Sequence, residues 1–303
     1  MNRLPKDLVI VAAKRTPFGV YGGGLKSLSA TDLGVEASKA ALESGGVDPS
    51  EIDAVVFGNV MQTSKDAIYL ARHIGLKVGA PIATPALTLN RLCGSGFQAV
   101  VSAALEILTG QADTVLCGGT ESMSQAPHVL YGARWGLRLG QAPMVDSLWE
   151  SLNDPYADMP MSATADKLAK EHNITREEAD EYAALSQLRF ASAQEMGALE
   201  GELASVTISS RRGDTIVDKD EHPRPGSTLE KLSKLRSAFG KESIITAGNA
   251  SGINDGAGAM VLTTAEKAKS QGWTPLARLV SWGVVGCDPT TMGIGPVGAM
   301  KKR

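Results

Sequence analysis

Cysteine, aromatic residues, surplus charge and long apolar runs are all scarce in this chain of 303 residues, and each scarcity excludes a class of protein. Cysteine occurs at 93, 117 and 287 only, an odd and widely spaced set that forms neither a disulfide framework nor a zinc spacing. A reducing compartment is expected: a cytoplasmic protein, whether of bacterial cytoplasm or of an organelle matrix. Lys and Arg number 30 against 33 Asp and Glu, a net charge of −3, so no global positive field draws the chain to nucleic acid or anionic lipid. An anionic ligand therefore needs a local site. The apolar run 8–13 is followed by Lys14 and Arg15 and is too short for a signal-peptide core. The run 99–108 is broken by Ser102 and Glu106, and nothing approaches the ~18 unbroken apolar residues of a spanning helix. A soluble protein with no membrane span is expected.

Hydrophobic residues make up 43% and aromatics 5%, with 33 Gly and 14 Pro, an ordinary globular mixture that excludes disorder and collagen-like repeats. At roughly 150 residues per domain the length suits about two domains, or one core carrying a large insertion. Over the first 120 residues short apolar runs alternate with amphipathic stretches, the signal for βαβ units and a mostly parallel sheet. Strands are expected at 8–13, 54–57, 86–89 and 114–117. A helix capped by Ser29 or Thr31 runs to Gly45-Gly46, and others are expected at about 66–74 and at 97–108. From 121 to 247 the composition shifts to loops bearing Met, Pro, Trp and His, with one long helix at 176–196, which reads as an inserted domain. The chain then re-enters the core through a strand holding Met260-Val261-Leu262, and 276–285 is a further strand candidate.

The most informative segment is Leu87-Thr88-Leu89-Asn90-Arg91-Leu92-Cys93-Gly94-Ser95-Gly96-Phe97-Gln98-Ala99, where a strand runs into a sharp turn and opens a helix. A thiol there feels the positive end of the helix dipole and unpaired backbone N–H groups, which favour the nucleophilic thiolate. The same N–H groups can hold an oxyanion, and the glycines let backbone approach an acyl group closely. A cysteine chosen blindly is more often a buried structural residue; turn position and flanking glycines reverse that expectation for Cys93. The stretch 94–99 also matches the G-x-G-x-x-A dinucleotide fingerprint. That reading expects an acidic residue at the far end of the next strand. Asp113 has the spacing but precedes its strand, which ends instead in Cys117-Gly118-Gly119 and cannot grip a ribose diol.

The Cys93 segment resembles the nucleophile motif of the thiolases, enzymes that cleave 3-ketoacyl-CoA with CoA or condense two acyl-CoAs. Further motifs resemble the family in the same order: Arg15-Thr16-Pro17-Phe18-Gly19, Gly58-Asn59-Val60, Cys117-Gly118-Gly119-Thr120-Glu121-Ser122-Met123-Ser124, Thr246-Ala247-Gly248-Asn249-Ala250-Ser251-Gly252 and Met292-Gly293-Ile294-Gly295-Pro296. Asp66-Ala67-Ile68-Tyr69-Leu70-Ala71-Arg72 and Asp220-Glu221-His222-Pro223-Arg224-Pro225 look most like the mitochondrial-type 3-ketoacyl-CoA thiolase branch.

The resemblance implies an α/β thiolase fold, two βαβαβαββ halves with helices sandwiched between sheets and a loop domain inserted in the first half. On this chain the first half would be 1–120 plus 248–271, the inserted CoA-binding loop domain 121–247, and 272–303 the start of an incomplete second half. It implies that Cys93 is the nucleophile that becomes acylated and that its own N–H contributes to an oxyanion hole. Leu152 and Met161 would line the pantetheine tunnel, Arg224 and Ser227 would lie near the adenine and phosphates of CoA, and Ser251 would contact the pantetheine amide. An arginine between prolines suits phosphate pairing, though a solvated arginine is about as common. A turn serine and buried Met or Leu are ordinarily structural. CoA and acyl-CoA thioesters enter as substrates; no metal or redox cofactor is implied. A homodimer or homotetramer is.

Three expected motifs are missing. Thiolases use a histidine in G-H-P to activate the nucleophile and a second cysteine in C-x-G as acid/base; no G-H-P occurs, and the one C-x-G, Cys117-Gly118-Gly119, belongs to the strand-end motif. His222 follows Glu221, and neither Cys117 nor Cys287 stands in the second-cysteine motif. The N-E-A-F motif, whose asparagine helps hold a catalytic water, is absent too. Asp166 replaces the commoner Glu, and Gly298 the usual Pro. Two functions stay open: an acyl-CoA C-acyltransferase whose 303-residue chain alone lacks turnover, and a non-catalytic CoA-binding or assembly module derived from the family.

Overall fold

In the computed structural model, which describes residues 4–140 and 143–302, the first apolar run is strand β1 (Leu8–Arg15). The outermost residues of the expected first and last segments, 1–3 and Arg303, lie outside the described residues. Strand β2 (Gly19–Val20) follows, then helix α1 (Ala30–Gly45). Ser29 caps α1: its Oγ accepts from the Asp32 N–H at 3.1 Å, while Gly46 ends the helix at φ 60°. Thr31, the other candidate cap, is buried inside the first turn. The apolar face of α1, with Leu33, Ala37 and Ala41 fully buried, packs on the sheet, and Leu33→Ala is the single change there that would cost ~2–5 kcal/mol.

Strand β3 (Ala54–Gly58), helix α2 (Leu70–Val78), strand β4 (Ala86–Leu89), helix α3 (Ser95–Leu108) and strand β5 (Thr114–Ser122) complete the alternation. The helix expected at 66–74 is a short 3-10 turn, Ala67–Tyr69, leading into α2. Beyond 125 the chain enters a second compact unit. It carries the short strands β6 (His128–Val129) and β7 (Val145–Asp146), helix α4 (Ser147–Ser151), strands β8 (Asn153–Asp154) and β9 (Met159–Pro160), and helices α5 (Met161–Glu171) and α6 (Arg176–Glu195). A reciprocal Thr175–Glu178 capping box starts α6. Strands β10 (Val206–Ile208) and β11 (Thr215–Val217) form a hairpin whose Val206 and Val217 join the core of the first unit. Helix α7 (Leu229–Ser233) belongs to the second. Strand β12 (Asn254–Thr264), helix α8 (Ala265–Gln271) and strand β13 (Ala277–Leu279) return to the first, and helix α9 (Gly295–Lys301) lies in the second. The first unit is thus Met1–Gln125, Leu199–His222 and Ile253–Ser281; the second is Ala126–Ala198, Pro223–Gly252 and Trp282–Arg303.

The sheet of the first unit is mixed, not mostly parallel, with strands in the order β13-β1-β12-β5-β3-β4 and β2 added to β12. Only β3 with β4 and β3 with β5 pair in parallel; β12 lies antiparallel to both β1 and β5. Alternating strand and helix patterns fix direction only for consecutive crossovers. Strand β12 arrives from far along the chain and is free of that constraint. The strand expected at 276–285 shrinks to the three residues of β13, since Leu276 and Val280 point to solvent. No helix among the described residues is long and apolar enough to cross a membrane.

Candidate active site

Between the end of β4 and the start of α3 the chain reverses within residues 90–94, and Cys93 sits exposed in that turn. Asn90 begins it with an Asx turn, Oδ1 accepting from the Leu92 N–H at 2.8 Å. Leu92 adopts φ 47°, a left-handed conformation that a side chain with a Cβ holds only under constraint. The constraint is hydrogen bonding: Gly94 N–H donates to Arg91 O at 3.0 Å and Ser95 N–H to Leu92 O at 2.9 Å. Gly94 caps α3 without a side-chain acceptor, so no side chain satisfies the first-turn N–H groups beside Cys93.

The floor under this turn is glycine. A Cβ on Gly58, the last residue of β3, would stand 2.7 Å from the Ser95 carbonyl carbon, and one on Gly119 would stand 3.3 Å from Gly96 Cα. Backbone therefore meets backbone beneath the nucleophile helix. Near the end of β5, Glu121 receives the Val60 and Met61 N–H groups from the residues just past β3, and Asn59 Nδ2 donates to it at 3.2 Å and to Thr120 O at 2.9 Å. Burial pushes the Glu121 carboxyl up to about 7, against the two backbone N–H bonds, which pull it down.

The other two thiols differ in setting. Cys117 is fully buried in β5, and burial pushes its thiol up to about 12. Cys287 is exposed, its Sγ 3.9 Å from Met292 O.

Cys93 belongs to the first unit and the five expected CoA-contact residues to the second. Leu152 and Met161 are brought together: the β8–β9 hairpin folds them side by side, and the Met161 N–H donates to Leu152 O at 2.9 Å. Arg224 and Ser227 share one turn, in which Ser227 Oγ donates to Arg224 O at 2.8 Å; no acid pairs with the Arg224 guanidinium among the described residues. Ser251 is exposed in the loop after Asn249, whose side chain pins that loop. Asn249 Nδ2 donates to Asp180 Oδ1 and to Ile244 O, both at 2.9 Å, and its Oδ1 accepts from the Thr246 N–H at 2.7 Å. Asp180, almost wholly buried on α6, also accepts from Arg176 Nε at 2.7 Å.

Ser95, Gly58, Asn59, Glu121 and Asp180 all shape these places, yet sequence reasoning gave them no role. The first four lie inside motifs whose order it used; Asp180 carried no signal beyond an acidic residue on a helix. No cluster of three or more metal-ligating side chains occurs among the described residues.

Known proteins resemble this chain over nearly its whole length. The pattern of "Thiolase, N-terminal domain" matches residues 8–266. The mitochondrial 3-ketoacyl-CoA thiolase of Homo sapiens is 52% identical over 304 residues, covering 99% of this chain and 77% of its own. The acetyl-CoA acetyltransferase of Cupriavidus necator is 46% identical over 298 residues, covering 98% and 76%. Among solved structures, human mitochondrial 3-ketoacyl-CoA thiolase in complex with CoA superposes with a TM-score of 0.95 at 51% identity, over 99% of this chain and 75% of that one.

Proposed function

This chain belongs to the thiolase family, and from that premise we propose that it is an acyl-CoA C-acyltransferase working through a Cys93 acyl thioester, with 3-ketoacyl-CoA thiolysis ahead of acetoacetyl-CoA formation. One observation carries the reading: an exposed thiol at a strand-to-helix turn, in a chain 52% identical to a 3-ketoacyl-CoA thiolase over 99% of its length. In thiolysis the Cys93 thiolate adds to the 3-keto carbon. The bond between C2 and C3 then breaks, its electron pair leaving as the acetyl-CoA enolate, which takes a proton. The thiolate of a second CoA attacks the acyl thioester, and Cys93 leaves as thiolate. The Cys93 N–H is proposed to contribute to the oxyanion hole.

Leu152 and Met161 are proposed to line the pantetheine path, Ser251 to meet its amide, and Arg224 with Ser227 to meet the nucleotide end. The CoA complex of the structural relative and the unpaired Arg224 guanidinium support this. The division into 1–120 plus 248–271, 121–247 and 272–303 is part of the same proposal, as is a cytoplasmic or organelle-matrix location, which the free thiols favour. So is a homodimer or homotetramer: strand β4 ends the sheet, and Leu87, Leu92 and Phe97 beside that edge are exposed. The proposal assigns no metal or redox cofactor.

A second reading, a CoA-binding or assembly module without turnover, is favoured by the sequence having no G-H-P histidine and no C-x-G cysteine outside the strand-end motif of Cys117. Incubation of the 303-residue chain with a 3-ketoacyl-CoA and intact-mass analysis tests both. An acyl adduct on Cys93 supports the acyltransferase; CoA binding with no adduct supports the module.

A further inference from the structure

We infer that Ser95 is the positioning residue for the Cys93 sulfur, tying the two residues before Cys93 to the start of α3 through one hydroxyl. This rests on the reading of Cys93 as nucleophile. Ser95 is the first residue of α3 and nearly fully buried. Its Oγ accepts from the Arg91 N–H at 2.8 Å and donates to Leu92 O at 2.7 Å, so one atom uses donor and acceptor capacity together. The two groups it grips both precede Cys93, and the Leu92 carbonyl belongs to the peptide that leads into it. The Leu92 carbonyl is the one that also accepts from the Ser95 N–H at 2.9 Å, and Leu92 is the left-handed residue of the turn. Without the hydroxyl, the Arg91 N–H loses its acceptor and the Leu92 carbonyl keeps one of its two bonds, so the unfavourable φ of Leu92 is held less firmly. The turn then relaxes, and Cys93 moves relative to the first-turn N–H groups of α3.

Gly58 fixes the other side of the clamp. A Cβ there would lie 2.7 Å from both the carbonyl carbon and the Cβ of Ser95, so the serine is pressed on strand β3 and cannot rotate away without opening the turn. Ser95 touches neither the reacting atoms nor CoA in this assignment; it acts through the position of Cys93.

The test compares the 303-residue protein with Ser95→Ala and Ser95→Thr by two readouts. Alkylation of Cys93 by iodoacetamide, followed by peptide mass spectrometry, requires only a thiol. Single-turnover acylation by a 3-ketoacyl-CoA requires the placed nucleophile. For Ser95→Ala the expected result is a fall of about tenfold in the maximal acylation rate with half-saturation changed less than about twofold, and a change of at least about threefold in alkylation. Ser95→Thr, which keeps the hydroxyl, should restore both, with melting temperature recorded for all three proteins. Alkylation and maximal acylation both unchanged in folded Ser95→Ala would overturn the inference, as would a loss shared equally by half-saturation. If the unaltered protein takes no acyl group, the acyltransferase reading loses its support from this chain, and alkylation alone decides the role of Ser95.

Discussion

Gly58 at the end of β3 faces Ser95 at the start of α3 so closely that no β-carbon fits between them, the separation from an added Cβ being 2.7 Å. That contact couples the sheet to the turn carrying Cys93. Gly58→Ala is therefore expected to destabilise the protein by ~1–3 kcal/mol through overpacking against backbone that cannot yield as a long side chain does. A urea titration gives the stability change. Cys93 acylation should slow with it, since the hydroxyl of Ser95 ties that contact to the turn. A neutral substitution on both counts would show that α3 has room to shift.

Cys93 is expected to be the thiol that limiting iodoacetamide labels first in the folded protein, because it alone joins exposure to a glycine-flanked turn at a helix N-terminus. Cys117 should stay unlabelled until the chain unfolds, since burial both shields its sulfur and holds the thiol protonated, pushed up to about 12. Peptide mass spectrometry reads the order. Preferential labelling of Cys117 or Cys287 would contradict it.

Glu121 gives a pH dependence of definite sign. Its folded-state carboxyl is raised from 4.5 to about 7 by burial, so between those values the folded protein binds more protons than the unfolded one. Stability from this group is then present at low pH and is lost as pH rises through about 7. Relative to Glu121→Gln, which does not titrate, the urea midpoint of the unaltered protein should fall between about pH 5 and about pH 8. A rise over that interval would mean that the Val60 and Met61 N–H bonds outweigh burial.

How much of this was legible from residues alone depends on the kind of interaction. The cap at Ser29, the stop at Gly46, strand β4 and the Cys93 turn were readable because local chemistry at a few adjacent residues decides them. The direction of β12 was not, since it depends on pairing between Met260 and Cys117, far apart in sequence. Nor was the clamp at Ser95 readable: a serine after glycine is an ordinary turn residue until Gly58 is seen pressed against it. Asp180 illustrates the same limit, because its place on α6 predicts a solvated carboxylate, whereas Asn249 and Arg176 draw it inside.

Arg224→Ala is expected to weaken CoA binding by about tenfold while changing affinity for a pantetheine fragment less than about twofold, because the proposed contact is with phosphate and adenine. The side chain is exposed, so loss of fold does not confound the measurement. Calorimetric titration with both ligands reads the difference. Equal losses would remove Arg224 from the site.

Turnover is where the missing motifs should tell. Thiolysis needs a base to generate the Cys93 thiolate and an acid to protonate the departing enolate, and a second proton transfer when CoA attacks the acyl enzyme. The sequence supplies the nucleophile, but neither the G-H-P histidine nor the C-x-G cysteine that the family uses for these transfers. Residues that act as a unit cost orders of magnitude when lost together rather than a modest factor each. The 303-residue chain is therefore expected to take up one acyl group slowly at most and to show no multiple-turnover thiolysis above background. Fusing it to the remaining part of a relative's fold should bring turnover back, and Cys93→Ala in that fusion should abolish it. Sustained turnover by the chain alone would mean that other residues perform the proton transfers. An inactive fusion that still binds CoA would favour the binding-module reading.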